Sequence, residues 1–240
     1  MKINICFLYP DIMNLYGDYA NVRALERHLV FCGAEVNVTH VTFADNADFS
    51  DCDMVYVGAG TERALLLCLN DIKKYEAQLK KAYENGAVFL CTGNSVELFG
   101  KETVFENGER REGLGLVDVH STHTDKRVLT DVVFESNSFE KETVGFINKA
   151  SSINGGFEPW FKVKYGSGNI EGSGGEGIKQ GSFHGTYLNG PLLIKNPHIL
   201  SYFAKLLIEK KGGEMKPLNL ENETKAYEIT LSELVKRFAQ

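Results

Sequence analysis

The residues best placed to do chemistry fall in three short stretches, each directly after an apolar run. Cys91-Thr92-Gly93-Asn94-Ser95 follows Ala87 to Leu90, Gly58-Ala59-Gly60-Thr61 follows Met54 to Val57, and Pro10 to Asp18 follows Ile3 to Leu8. A cysteine on a sharp strand-to-helix turn exposes its sulfur. The helix N-terminus behind it favours the thiolate, and neighbouring backbone N–H groups can hold an oxyanion. Asn94 and Glu97 have the spacing of a capping box for such a helix. A small buried cysteine closing a strand is the alternative, and the residues leave both readings open. Of the five cysteines, Cys6, Cys32 and Cys68 sit in apolar patterns that read as core, and Cys52 carries no signal. Their odd number and irregular spacing match neither a disulfide scaffold nor a metal site. His120 and His123 read as solvent-side polar residues of a middle strand. His28 falls on the polar side of a first helix, and His198 in an exposed first turn. The glycine-rich stretch Gly172 to Gly177 lacks the following helix and Lys-Ser/Thr pair of a phosphate loop, so it reads as a hairpin tip.

These stretches need a scaffold that brings strand ends together. Ile3 to Leu8, Glu35 to Val41, Met54 to Val57 and Ala87 to Leu90 are strand candidates. Asp18 to Cys32 and Glu62 to Tyr83 carry apolar residues at helical spacing. That order argues for a parallel sheet covered by helices, in which ligands gather at the carboxyl ends of the strands. From Gly100 to Gly190 the helical period disappears. Leu116 to Ser121, Val128 to Glu135, Thr143 to Ile147, Phe161 to Tyr165 and Gly181 to Leu188 read as a mostly antiparallel extension of the same sheet. Asn196-Pro197 opens a helix, and Glu221 to Phe238 forms a last amphipathic one.

With 240 residues the chain has room for one sizeable core, so a single domain over residues 1–240 is expected. Hydrophobic residues at 43% and charged residues at 24% exclude a disordered or fibrous chain. A net charge of −6 gives no general pull toward nucleic acid or anionic lipid. No apolar run is long enough to span a bilayer, and the first residues enter a strand pattern without a signal-peptide layout, so a cytoplasmic location is expected.

Several stretches, in this order, resemble one family. They are Asn14-Leu15-Tyr16-Gly17-Asp18 with Asn21; Asp51 to Asp53 running to Gly58-Ala59-Gly60; Cys91 with Gly93; and Gly113-Leu114-Gly115-Leu116. Arg127 with Asp131 to Ser136, Val144-Gly145-Phe146 and Gly185 to Leu192 complete the set. The string resembles class I glutamine amidotransferases of the cobyric acid synthase type, and among them the GatD glutaminase subunits of lipid II isoglutaminyl synthase. The resemblance implies a three-layer, flavodoxin-like α/β domain with an antiparallel extension of the sheet. It implies a nucleophile at the Cys91 position that forms a glutamyl thioester and releases ammonia, a base at the Asn189 position, and an aspartate at the Asp18 position assisting that base. It also places Arg127 in the glutamine-binding region, Gly60 in the oxyanion segment and Gly93 beside the substrate. No cofactor is expected in this chain. ATP and magnesium would belong to a Mur-ligase-like (MurT-like) partner that amidates the peptidoglycan precursor lipid II.

Three features depart from that pattern. The family's base is a histidine, and an asparagine amide cannot take a thiol proton or return it to ammonia. The Gly-Gly-Tyr-Gln that follows the family's cysteine reads Thr92-Gly93-Asn94-Ser95, with extra residues before Phe99-Gly100. Thr61-Glu62-Arg63-Ala64 replaces the family's usual polar set. His184 is the nearest surrogate base. Five residues before Asn189 on one strand, it faces the other way and lies roughly 16 Å along the chain at about 3.3 Å per residue. Three functions follow as expectations: a glutaminase subunit, a degenerate homologue that binds or regulates without hydrolysing, or an enzyme that keeps a reactive Cys91 and, through the altered Asn94-Ser95 pocket, acts on another amide or ester.

Overall fold

The computed structural model describes all 240 residues, Met1–Gln240. Five parallel strands build its centre: β1 (Lys2–Leu8), β2 (Glu35–Val41), β3 (Met54–Val57), β4 (Val88–Thr92) and, later in the chain, β12 (Phe183–Thr186). Every residue of β3 and β4 is buried, as befits central strands covered on both faces. Helix α1 (Tyr19–Phe31) links β1 to β2. Helices α2 (Glu62–Asp71) and α3 (Glu76–Glu84), joined by a single 3₁₀ stretch at Ile72–Tyr75, link β3 to β4. The expected continuous helix Glu62 to Tyr83 is therefore two helices with a tightened turn between them.

The middle of the chain departs from a simple extension of this sheet. Strands β5 (Glu102–Val104), β6 (Arg110–Glu112), β7 (His120–Ser136), β8 (Phe139–Asn154), β9 (Phe161–Tyr165) and β10 (Gly175–Glu176) form a second sheet. Only β11 (Ile178–Gln180) extends the first sheet antiparallel, at β12. The strand candidates Val128 to Glu135 and Thr143 to Ile147 are parts of one long hairpin of 17 and 16 residues. Leu116 to Val119 precede it outside any strand. One bridge, Ile147 to Leu188, ties the hairpin to the segment after β12.

Three helices follow: α4 (Leu192–Lys195), α5 (Pro197–Lys210) and α6 (Glu221–Phe238). Pro197 opens α5 at a position where its missing N–H is no loss. Buried Asn196 fastens this region to the hairpin. Its Oδ1 accepts from Val144 N at 2.8 Å, and its Nδ2 donates to Val144 O at 2.9 Å. A single hydrophobic cluster of 57 buried residues runs through both sheets.

Candidate functional site

Strand β4 ends in a sharp turn into a 3₁₀ segment, Gly93–Phe99, and the turning residue is Gly93 at φ +63°. Cys91 does not stand on that turn. It is the fourth residue of β4, paired between Val57 and Gly185, and is fully buried. Burial pushes its thiol well above the usual cysteine range, and the Ser95 hydroxyl only partly offsets this. The expected exposed thiolate is thus absent at Cys91, for the physical reason that its side chain points into the sheet's packed interior. The glycine at the turn faces the site instead. A Cβ on Gly93 would lie 2.9 Å from Asn189 Oδ1 and would collide with Ala59 Cβ. The position opposite the Asn189 amide is therefore filled by a methyl group from the neighbouring loop.

The expected capping box also differs. Asn94 Oδ1 accepts the Gly60 N–H at 3.0 Å, so a side-chain carboxamide already occupies the donor that the resemblance assigns to an oxyanion. Thr61 caps α2 by accepting from Ala64 N at 3.1 Å. Asp18 lies fully buried beneath this loop. It accepts from Ala59 N at 3.2 Å and Tyr16 N at 3.4 Å, and from the Thr92 hydroxyl at 3.2 Å. Burial raises its pKa, and these bonds hold it back in part. Asp18 makes no hydrogen bond to Asn189, whose Nδ2 donates to Asn148 O at 3.3 Å.

Gly60, Asn94, Arg127, Asn148 and Asn189 nevertheless converge on one small cavity of about 60 Å³. That is room for a few water molecules, far below the roughly 300 Å³ at which ligand pockets begin. Its mouth is crossed by an ion pair between Arg127 and Glu62, and Arg127 also donates to Asn148 Oδ1 at 2.9 Å. Lys149 reaches the cavity wall from β8, and burial draws its pKa down to about 8.

His184 is not brought to the cavity. Its ring is buried against Trp160 and Phe203, with Nε2 3.1 Å from Tyr202 Oη, and burial lowers its pKa to about 4. It cannot serve as a surrogate base. Two other histidines depart from their expected exposure. His198 has both ring nitrogens sealed from solvent without partners. His123 is 7% exposed, with Nε2 2.7 Å from Glu97 Oε2. Glu97 is fully buried and accepts further bonds from Ser151 at 2.7 Å and Tyr187 at 3.1 Å. This carboxylate–imidazole pair was missed in the sequence because it joins residues on different elements. Cys91 hid Gly93 in the sequence, although setting the family's cysteine on Gly93 lays its Gly-Gly-Tyr-Gln over Asn94-Ser95-Val96-Glu97 and removes the extra residues before Phe99-Gly100.

Residues 4–197 match the CobB/CobQ-like glutamine amidotransferase domain. The chain belongs to this family. Among curated relatives, the lipid II isoglutaminyl synthase (glutamine-hydrolyzing) subunit GatD of Staphylococcus aureus is 31% identical, covering 92% of this chain and 91% of the relative. The subunit of that name from Streptococcus pneumoniae is 28% identical, covering 97% and 88%. Among solved structures, a glutamine amidotransferase from Thermotoga maritima superposes with a TM-score of 0.55 at 10% identity, covering 98% of this chain and 97% of that one. PurLQS from the same organism gives 0.54 at 16% identity, covering 98% and 100%. At such identities these two structures speak for the class I amidotransferase fold. No helix of this family member is long and apolar enough to cross a membrane.

Proposed function

We propose that this chain is a non-hydrolysing member of the glutamine amidotransferase family, a cytoplasmic binding or regulatory subunit for a Mur-ligase-like (MurT-like) partner in lipid II amidation. One observation carries the reading: the strand-to-helix turn presents glycine, Gly93, toward Asn189. A thioester route needs a nucleophile and a proton carrier at those two positions. Here the first has no side chain and the second cannot exchange a proton at neutral pH. Asn94 on the Gly60 N–H removes the third requirement, an open oxyanion donor. The partner would supply ATP and magnesium, and ammonia would come from another source.

The competing reading, a working glutaminase, has the nearly full-length similarity to glutamine-hydrolyzing subunits in its favour. It requires the sealed thiol of Cys91 to reach glutamine, which a fully buried position in a central strand opposes. Glutamate release from glutamine by the purified chain, alone and with the ligase partner, separates the two. No release above the uncatalysed rate is expected in either case, together with co-elution of the chain and the ligase. Partner-dependent release that is abolished by Cys91→Ser would overturn the proposal.

A further inference from the structure

Cys6 and Cys52, two cysteines remote from the cavity, meet where the chain enters β3. Cys6 lies within β1, and Cys52 comes two residues before β3 begins. Side chains two apart on a strand share a face, so Asn4 and Cys6 point the same way. Asn4 holds the incoming segment with its side chain and its backbone. Its Nδ2 donates to Asp51 O at 3.0 Å, its N–H donates to Asp53 Oδ2 at 2.9 Å, and its carbonyl accepts from Asp53 N at 2.9 Å. Lys211 adds an ion pair to Asp53 at 2.8 Å. Cys52, between these two anchored residues, is thereby brought onto Cys6. Its sulfur meets Cys6 twice, in a thiol–thiol hydrogen bond and at the Cys6 backbone N–H.

The contact leaves the two sulfurs unequal. The Cys52 S–H has two acceptors, the Cys6 sulfur and Met54 O at 2.9 Å, and keeps its proton. The bond it gives lowers the pKa of Cys6, against burial and the nearby charges of Asp48 and Asp53. One thiol is thus ready to ionise beside one that stays protonated. Neither is as deeply sealed as Cys91 or Cys68. Cys6 is 5% and Cys52 9% exposed, against 0% for the other two, and Cys52 follows directly on exposed Ser50 and Asp51.

We propose that Cys6 and Cys52 form a redox-modification site, at which a hydroperoxide converts the thiol pair to a reversible disulfide. The Cys6 thiolate attacks a peroxide oxygen and the O–O bond breaks. The leaving oxygen departs as water or alcohol with the proton that Cys6 gave up, and Cys6 carries a sulfenic acid. The Cys52 sulfur then attacks the Cys6 sulfur, the S–OH bond breaks, and the Cys52 proton leaves with the hydroxyl as water. Two electrons pass from the sulfurs to the peroxide, so two thiols and one hydrogen peroxide give one disulfide and two waters. The bond cross-links β1 to the entry of β3 and closes a loop that contains α1 and β2, which restricts the unfolded chain. It forms where β3 begins, whereas the cavity lies beyond the ends of β3 and β4, so this inference stands apart from any reading of glutamine hydrolysis.

The test treats the full, reduced chain with hydrogen peroxide under native conditions, stops the reaction with catalase, and counts thiols by iodoacetamide labelling in urea. The count is expected to fall from five to three and to return to five after dithiothreitol. The missing pair is expected in the peptide map as a Cys6–Cys52 link. Dimedone, which traps sulfenic acids, reads the order of the steps: it should mark Cys6 in the Cys52→Ser variant and leave Cys52 unmarked in Cys6→Ser. The oxidised chain is expected to unfold at a higher urea concentration than the reduced one. The count and the link are read on the natural chain, so they stand even if a variant fails to fold. Five thiols after peroxide, a link through Cys32, Cys68 or Cys91, dimedone on Cys52 in Cys6→Ser, or an oxidised chain that unfolds at lower urea would each overturn the proposal.

Discussion

Replacing Asn189→His would set an imidazole opposite Gly93, where no thiol waits to be deprotonated. The single substitution is therefore expected to leave glutamine hydrolysis at background, although a positioned base is typically worth about 10²–10⁴-fold in rate. Restoring the nucleophile needs room as well as a sulfur. A side chain on Gly93 collides with Ala59 Cβ, so Gly93→Cys alone is strained twice, by space and by its positive φ. The combination Ala59→Gly, Gly93→Cys and Asn189→His removes the collision and supplies both groups. Its introduced thiol is expected to react with iodoacetamide in the native protein, and glutamate release should rise above that of the Asn189→His variant. Native Cys91 should behave in the opposite way. Buried and held protonated, it is expected to stay unmodified until global unfolding, which mass spectrometry of alkylated peptides across a urea series would show. Labelling of Cys91 in the absence of denaturant would revive it as a nucleophile.

At the scale of elements, a few polar fastenings add to the shared core in tying the hairpin to its neighbours. Asn196→Ala leaves the Val144 N–H and C=O without partners, and each such buried group costs about 1–3 kcal/mol. A loss of about 2–4 kcal/mol in unfolding free energy is expected from urea denaturation. The Glu97–His123 pair fastens the 3₁₀ segment to β7 in a pH-dependent way. Because the folded pKa of His123 is raised, its contribution is full below about pH 6.5 and is lost as pH rises through the folded value. The stability gap between the natural chain and Glu97→Gln should accordingly be wider at about pH 6 than at about pH 9. An equal gap at both would mean that the pair does not ionise as argued. The central elements were legible in the sequence because periodicity reports burial: Glu35–Val41, Met54–Val57 and Phe161–Tyr165 begin and end where their residue patterns do. The long hairpin was not, since its exposed stretch Thr124 to Arg127 breaks the pattern and looks like a turn between strands. At the site, Asn189 was visible as a missing base, whereas Gly93 was hidden by the cysteine two residues earlier. A cysteine attracts a catalytic reading, but the backbone turns at the residue that can adopt positive φ.

For the whole molecule, the main core spans both sheets, but α6 stands apart from it. Tyr227 and Leu234 pack with Val133 and Val144 in a separate cluster of four buried residues. The other fastenings of α6 are peripheral. Phe238 stacks on Tyr165 at 5.0 Å, Tyr227 Oη donates to Glu142 O at 2.7 Å, and Arg237 pairs with Asp131 at 2.6 Å. Exposed ion pairs contribute about 0–1 kcal/mol, so the docking of α6 rests on the two buried side chains and the stacked ring. The fully buried strands β3 and β4 can open only with the whole fold. Native-state hydrogen exchange is therefore expected to find the amides of α6 opening in a sub-global step, with a weaker denaturant dependence than those of β3 and β4. Leu234→Ala should lower the opening free energy of α6 by roughly 2–4 kcal/mol while leaving the protection of β4 nearly unchanged. Because Val133 and Val144 belong to the same hairpin as His123 and Asn148, undocking α6 should also loosen the hairpin's far edge before it reaches the cavity. Simultaneous exchange of α6 and β4 in the Leu234→Ala variant would show instead that the small cluster and the main core unfold as one cooperative unit.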